Sequence, residues 1–483
     1  MKKILLFLVS LLFIACRHEI IPDVEKTEYP PIFPDYIGVT VPQNIAPLTF
    51  CPLTNVTDGE VRFVFGEMTV VARLTKDGFC PDINKWHKLL ASAAGQAINV
   101  EVLTQENNQW IRYAPFNIYV TNESIDPYLA YRLIAPGYKN WDEMGLYQRD
   151  LTSFIEKPII ENRQTDGNCM NCHSFCNRDA NTMLFHMRGT NAGTYLIRNQ
   201  KIEKLDTKTP QTISALVYPS WNADGQHVAF SVNETFQAFH PSDPNRIEVY
   251  DTASDVVVYD TKEHIISTSP LLSSATRYET FPTFSPDGKT LYFCSAEALP
   301  REKFRMIRYS LCSIDYNPKT GVFGSTVDTL YNAEQEQRSV SFPRVSPDGK
   351  YLMFTVSKYG NFSIWHKDAD LYLFDMDKRK YYSLTEANSQ DVESYHSWST
   401  DSRWFVFSSR RVDGLYTMPF IAYLRPDGTT TKPFLLPQKS AMFYQNFFFS
   451  YNIPELINGT VQVSSYEISQ VAKKEKAIKL GFQ

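Results

Sequence analysis

The sequence lacks a second apolar run long enough to cross a membrane, and it lacks an excess of basic residues. Beyond residue 15, no apolar stretch approaches the roughly 20 residues that a membrane-spanning helix needs. Lysine and arginine number 48 against 53 aspartates and glutamates, which gives a formal net charge of −5. Nucleic-acid-binding domains usually carry a basic patch that this balance does not supply. The two absences exclude a polytopic membrane protein and predict that nucleic acid is not a partner.

Cysteine and histidine are also scarce, with 8 and 9 copies in 483 residues. Cys169, Cys172 and His173 nevertheless fall together in one C-x-x-C-H sequence, which is the attachment sequence of a c-type haem. The two thiols form thioethers with the vinyl groups of one porphyrin, and the adjacent imidazole binds the iron. The sequence occurs once, so it predicts one haem c and one iron.

Two other chemistries fit the same residues. Cys169 and Cys172 are spaced as in a redox disulfide. They are also spaced to hold zinc together with His173 and a fourth ligand such as Cys176. Both alternatives stay open at the level of sequence.

Residues 1–16 have the pattern of a secretory signal. Lys2 and Lys3 precede an apolar run over residues 4–15. The run ends in Phe-Ile-Ala before Cys16, which resembles the lipobox of bacterial lipoproteins. That resemblance implies cleavage before Cys16, acylation of its thiol and amino group, and a membrane partner through this lipid anchor. An ordinary signal peptide with a coincidental cysteine is the alternative. The residues after Cys16 do not look like an inner-membrane retention signal, so the expected location is the outer membrane, with either face possible.

Internal repeats predict the main fold. Residues 221–230, 284–293 and 345–354 share an aromatic or apolar residue, a turn with Asp-Gly and an alternating strand, and residues 398–407 are a weaker copy. Repeats at intervals of about 60 residues are typical of propeller blades. The segments resemble the TolB-like, WD40-like propeller family. A degenerate copy at 175 and a weak one within 447–469 predict six blades, with seven as the alternative.

The rest of the chain divides into shorter units. Residues 17–43 are proline-rich and predict an extended tether. Residues 44–125 contain alternating strands and one short helix over 86–94, which predict an immunoglobulin-like β-sandwich. A connector is expected over 126–168, the propeller over 169–470 and a basic tail over 471–483. The fold class is therefore all-β.

The repeats also suggest how the haem is held. His396 occupies in blade 5 the position that His173 occupies in blade 1, so His396 is the candidate for the second iron ligand, with Met144 as the main alternative. A histidine that merely packs in the channel wall is as good an interpretation of His396. Further candidates for the second iron ligand are His186, Met187 and His366. Arg149, Arg410 and Arg411 are candidates to bind the haem propionates. The candidate disulfides are Cys294–Cys312 and Cys51–Cys80, which leave Cys176 free.

As a whole, the chain resembles lipoproteins of the Bacteroidota that join a C-x-x-C-H site to a TolB-like propeller. The resemblance implies a haem-bearing envelope protein for electron transfer or redox sensing, with an unidentified redox or envelope protein as partner. The alternative is a protein- or glycan-binding adaptor whose haem is structural or absent. A propeller hydrolase is the weakest option, because no G-x-S-x-G sequence occurs and no catalytic set of residues is found.

Overall fold

The computed structural model describes residues 20–135, 142–240 and 242–483. Six sheets form the blades of a β-propeller, so the predictions of an all-β fold and six blades are confirmed. The innermost strands contact one another in sequence around the ring, and the last contacts the first. The ring is therefore closed.

Five blades each take consecutive strands. From the innermost strand outward, these are blade 1, Met170–Phe175, Thr182–Met187, Gly193–Arg198 and Lys201–Asp206; blade 2, Val217–Trp221, His227–Phe239, Ile247–Asp260 and Ile265–Ser267; blade 3, Arg277–Phe284, Thr290–Glu297, Ser310–Asn317 and Val322–Tyr331; blade 4, Ser339–Val345, Tyr351–Ser357, Asp370–Asp375 and Lys380–Ser383; and blade 5, Glu393–Trp398, Trp404–Ser409, Met418–Tyr423 and Phe434–Leu435.

Blade 6 is built from both sides of the propeller sequence. Its innermost strand is Ser450–Ile457, and its outer strands are Tyr128–Ile134, Met144–Asp150 and Glu156–Glu161. Residues 126–168, expected to be a connector, instead supply three strands of this blade. The weak repeat within 447–469 does begin a blade, but only its innermost strand lies there. Ring closure therefore depends on pairing between strands about 320 residues apart in the sequence.

The repeated turn explains why the hairpins recur. In blade 3, Ser285 Oγ donates to Asp287 (2.6 Å) and accepts from the amide of Thr290 (3.0 Å), while Gly288 has φ +71°. The left-handed residue closes the turn at little steric cost because glycine has no Cβ. In blade 5, Ser402 stands at this position with φ +62°. The same hydroxyl bond to the following strand is retained there, from the Trp404 amide to Ser399 Oγ (2.9 Å).

The end of the chain is attached to the ring. Helix Ser465–Lys474 follows blade 6, Ile478–Lys479 pairs with the outer strand of blade 1, and Gly481–Phe482 pairs with the outer strand of blade 2. The segment 471–483, expected to form a solvated basic tail, instead ends a helix with Lys473 and Lys474 and adds two short strands, the first of which includes Lys479. The tail bridges two neighbouring blades.

The N-terminal domain has one main sheet with a helix against it. The helix Ile83–Ser92 begins at the capping residue Asp82, and its Trp86 ring lies 5.3 Å from Phe63 of the sheet. The helix was predicted over 86–94; the immunoglobulin-like assignment stays a prediction. The strands, in chain order, are Val24–Glu25, Ile32–Phe33, Thr40–Val41, Cys51–Pro52, Asp58–Phe65, Met68–Thr75, Gly78–Phe79, Ala97–Glu106, Gln109–Arg112 and Phe116–Val120.

The expected tether belongs to this domain from residue 23 onward. Val24 pairs with Ile111, and Thr40 pairs with Tyr119. The domain then packs on blade 5, with which it shares one hydrophobic core. Within the described residues, no helix is long and apolar enough to cross a membrane. Cys16 and the predicted signal lie outside the described residues.

The predicted disulfides are absent among the described cysteines, all of which are free thiols. Cys294 and Cys312 do lie on neighbouring strands, but Cys294 is opposite Leu311 and Cys312 is opposite Phe293. Successive side chains of a strand point to opposite faces, so the two thiols enter different cores. Cys51 is also unpaired, and its Sγ lies 3.9 Å from Met442 Sδ instead of bonding to Cys80.

A buried carboxyl in blade 3 makes the stability depend on pH. Glu279 is 1% exposed, and burial raises its pKa to about 7 despite the opposing effect of Arg277. Its folded pKa exceeds the unfolded value, so its contribution to stability is lost as pH rises through about 7. We expect Glu279→Gln to raise the free energy of unfolding at pH 8 by about 2–3 kcal/mol and to have little effect at pH 4. Urea unfolding at both pH values, with Glu297→Gln as an exposed control, measures this; an equal effect at both would contradict the assignment.

Candidate functional site

Every blade carries the same irregularity where its innermost strand faces the channel. The strand pairing shifts register there, and one residue adopts a left-handed backbone with φ between +45° and +54°. Such a conformation is unusual for bulky side chains, so its sixfold recurrence marks a feature of the fold. We call these residues the collar: Cys172, Tyr218, Phe281, Phe342, Tyr395 and Ile453.

The collar fills the channel with aromatic rings. Centroid distances are 4.6 Å between Tyr218 and Phe281, 4.5 Å between Phe281 and Phe342, and 4.5 Å between Phe342 and Tyr395. The thiol of Cys172 completes the ring on the side of blade 1. The haem sequence therefore reaches the collar through Cys172.

The collar separates two cavities. The wide chamber, about 1660 Å³, is lined by residues that precede the collar in the innermost strands, such as Cys169 and Asn452. The narrow cavity, about 260 Å³, is lined by residues that follow it, such as His173 and Glu455. Cys169 and His173 thus face different cavities, with Cys172 between them.

The residue after each collar position is proline in four blades and histidine in two. His173 and His396 stand where blades 2, 3, 4 and 6 carry Pro219, Pro282, Pro343 and Pro454. Both histidines line the narrow cavity. The equivalence that the repeats suggested therefore exists in the structure.

The imidazole of His173 is buried, and its ring nitrogens make no hydrogen bond. The residue is 3% exposed, and neither ring nitrogen has a hydrogen-bond partner. The Ile453 backbone is close, and Glu455 Oε2 lies 4.0 Å from Nε2, but neither reaches hydrogen-bond geometry. Burial, with a smaller effect of Arg132, lowers the pKa of His173 to about 3. The neutral imidazole is the form that binds a metal.

The two cysteines differ in their surroundings. Cys169 is half-buried at the edge of the wide chamber, and its carbonyl accepts from the Arg188 amide (2.8 Å). Cys172 is 5% exposed, and burial raises the pKa of its thiol although Arg188 and Arg132 oppose this. Thiolates are the reactive form of cysteine, so burial disfavours reaction of Cys172 in the closed ring.

The predicted second ligands lie in different places. His396 Nε2 is 3.0 Å from the Met353 carbonyl, so that nitrogen is engaged by the neighbouring blade. Met144 Sδ accepts from the Met170 amide at 3.2 Å. His186 and Met187 instead line the wide chamber beside Cys169. His366 pairs with Glu248 at 3.0 Å. Ligation by any of them stays a prediction.

The three arginines proposed for the propionates also separate. Arg410 lines the wide chamber, with its guanidinium 3.3 Å from the centroid of Trp365. Arg149 binds the Pro437 carbonyl and Gln438 outside the chamber. Arg411 forms an ion pair with buried Glu393 (2.8 Å).

The zinc alternative gains no support from geometry. In the parts of the chain that the structure describes, no three side chains of His, Cys, Asp or Glu are arranged to hold a metal ion. Cys176 packs with Leu184 and Trp221 in the core between blades 1 and 2. It is therefore separated from the cysteines of the haem sequence.

Sequence reasoning missed several polar residues of the wide chamber. Its walls include Arg132, Arg188, Arg246 and Asn452. Arg132 and Asn452 lie opposite each other in blade 6, although 320 positions separate them in the sequence. No local sequence pattern could have paired these two residues, because residues 126–168 were expected to be a connector and not strands of blade 6.

Comparisons with known proteins add the following. No family model and no curated protein matches the chain. It is similar to prolyl oligopeptidase B from Galerina marginata, at 12% identity and a TM-score of 0.34, with 80% of this chain and 54% of that one covered. It is also similar to an ancestral GH74 enzyme, at 12% identity and a TM-score of 0.33, with 70% and 44% covered.

A third similar structure is a protein assigned as a dipeptidyl aminopeptidase IV from Bacteroides ovatus, at 12% identity and a TM-score of 0.24. The match covers 61% of this chain and 59% of that one. The chain thus spans 44–59% of the length of these three proteins. Similarity at this level does not indicate activity, and the propeller assignment rests on the strand pairing described above.

Proposed function

We propose that the protein carries one covalent c-type haem on the innermost strand of blade 1 and acts in electron transfer or redox sensing. The observation that carries the proposal is the unpartnered, neutral imidazole of His173, directly after two free thiols at Cys169 and Cys172. A buried polar group without a partner is rare and calls for an explanation. A metal bound to His173 would supply the missing partner.

The residues fit this group in type and in order along the chain. His173 lies across the collar from Cys169, so the collar would have to open for one haem to meet both residues. Cys169 and Cys172 would hold the porphyrin, and His173 would bind the iron. The wide chamber beside Cys169 exceeds the 300–1000 Å³ of typical ligand sites. When bound, the haem supplies one-electron chemistry. The protein contributes burial, the neutral state of His173 and the arginines of the chamber, all of which influence a reduction potential.

The test is an absorption spectrum and a haem stain on a denaturing gel, using protein made in a host with c-type maturation. We expect a covalent haem band that is lost in a Cys169→Ala/Cys172→Ala variant, because the thioethers cannot form. Cys176→Ala is the matched control, since it removes a buried thiol outside the sequence and should keep the haem. A wild-type chain without haem would overturn the proposal.

The histidines are then compared in the same host. His173→Ala is expected to change the spectrum, while His396→Ala changes it only if that ring leaves the Met353 carbonyl to bind the iron. His186→Ala tests the imidazole that shares the chamber with Cys169.

We also propose that the protein is held at the cell envelope, preferably the outer membrane, by a lipid on Cys16. This rests on the lipobox-like sequence before Cys16. Cell fractionation tests it: Cys16→Ala should move the protein from the membrane fraction to the soluble fraction, and Cys80→Ala should not. A variant that stays with the membrane would contradict the anchor.

A non-catalytic binding role is the second candidate. This role is favoured by the size of the wide chamber and by three polar residues in its lining, Arg132, Asn171 and Asn452, each of which has a buried atom without a hydrogen-bond partner.

A further inference from the structure

Polar side chains meet on the floor of the wide chamber where blade 6 joins blade 1. Arg132 and Asn452 are opposite each other on the two inner strands of blade 6, and Asn171 is opposite His186 on those of blade 1. All four line the chamber. Opposite residues on one face of a sheet stand about 5 Å apart. Arg132 Nη1 reaches the Met170 carbonyl (3.4 Å), which brings the two blades together.

The protein does not satisfy these groups. Arg132 Nε and the Oδ1 atoms of Asn171 and Asn452 are buried without a hydrogen-bond partner. Asn452 is only 5% exposed. Leaving a buried polar atom unpaired is unfavourable, so a ligand that pairs with these three atoms gains the hydrogen bonds that the protein does not make. Each asparagine can donate or accept, because its amide carries both functions.

Positive charge concentrates at the same floor. In the described part of the chain, Arg132 and Arg188 form no ion pair, and both act electrostatically on Cys172. Arg246, Arg410 and Lys208 add to the walls, and Asp206 is the one acid among the described residues that line the chamber. This surface is strongly cationic in a protein whose net charge is −5. This concentration of positive charge favours an anionic ligand.

We propose that the floor of the wide chamber binds an organic carboxylate that also carries hydroxyl groups, such as a sugar acid. A guanidinium group can hold a carboxylate with two parallel hydrogen bonds. The amides of Asn171 and Asn452 match hydroxyl groups, and the rings of Tyr218 and Trp365 supply apolar walls. Asn171 lies between the two cysteines of the haem sequence and Cys169 lines the same chamber, so the site is tested in protein that carries no haem.

The experiment is a calorimetric titration of D-glucuronate into protein made without c-type maturation. We expect saturable binding that weakens at least tenfold in Arg132→Gln and in Arg188→Gln. Arg188 is an exposed residue, so its variant keeps the fold even if Arg132→Gln does not. D-glucose, a similar ring without the charge, should bind at least tenfold more weakly.

Arg379→Gln is the matched control, because Arg379 is 62% exposed and pairs with Asp328 on the outer side of the blades. It should leave the affinity unchanged. The proposal is overturned if glucuronate shows no saturable binding at millimolar concentration, if glucose binds equally well, or if Arg379→Gln weakens binding as much as Arg188→Gln. The haem is scored separately on the gel, so either proposal can fail alone.

Discussion

A chain that ends at residue 447 is expected to lose cooperative unfolding of the propeller. It lacks Ser450–Ile457, the innermost strand of blade 6, which pairs with Tyr128–Ile134 and contacts the inner strands of blades 5 and 1. Without it, the ring is open and the edges of three blades face water. Domains are typically stable by only about 5–15 kcal/mol, so loss of this buried strand and its pairing is expected to be severe. Urea unfolding followed by tryptophan fluorescence measures the transition.

The matched control is a chain that ends at residue 474. It keeps the inner strand and the C-terminal helix but lacks Ile478–Lys479 and Gly481–Phe482, which only extend the outer edges of blades 1 and 2. We expect this chain to unfold cooperatively at a slightly lower urea concentration. If both truncated chains unfold alike, ring closure by blade 6 is not what holds the propeller together.

Phe342→Ala is expected to lower the free energy of unfolding by about 3–5 kcal/mol, the usual range for deleting a buried phenylalanine side chain. Phe342 is 3% exposed and lies 4.5 Å from the rings of both Phe281 and Tyr395. Its φ is +54°, and alanine is no better suited to that conformation, so no relief of backbone strain offsets the loss. Urea unfolding at pH 7 measures the change.

The substitution also joins the two cavities, since the phenyl group is part of the barrier between them. In protein made without c-type maturation, a thiol reagent that reacts slowly with Cys172 should therefore react faster when Phe342→Ala is present. Phe239→Ala is the control, because Phe239 is 61% exposed at the rim of the chamber. A loss of stability as large in Phe239→Ala, or an unchanged rate at Cys172, would contradict the role given to the collar.

The propeller could be predicted from the sequence because its turns are built by local chemistry. Serine, aspartate and glycine within four residues close the hairpins at Ser285 and Ser346, and related turns over residues 222–225 and 399–402 keep the aspartate. The haem sequence and its place in blade 1 could be read for the same reason. The three outer strands of blade 6 could not be predicted, because they lie about 320 residues before its innermost strand and share no such turn.

The parts of the site that were missed depend on long-range pairing and on side-chain direction. Arg132 meets Asn452 only once blade 6 is known. The Cys294–Cys312 disulfide failed by a single residue of register, which places the two thiols on opposite faces. The position of His396 was readable from the repeats, whereas its bond to the Met353 carbonyl depends on how the ring turns between blades.

Closure of the ring by the last strand of blade 6 sets the order of folding events around Cys172. Blade 1 pairs its own consecutive strands, but the ring closes only with Ser450–Ile457, whose last residue lies 285 positions after Cys172. Until that strand arrives, the collar cannot assemble and the thiol of Cys172 stays open to its surroundings. Afterwards it is 5% exposed. We therefore expect any group that is joined to Cys172 to be attached before Ser450–Ile457 closes the ring.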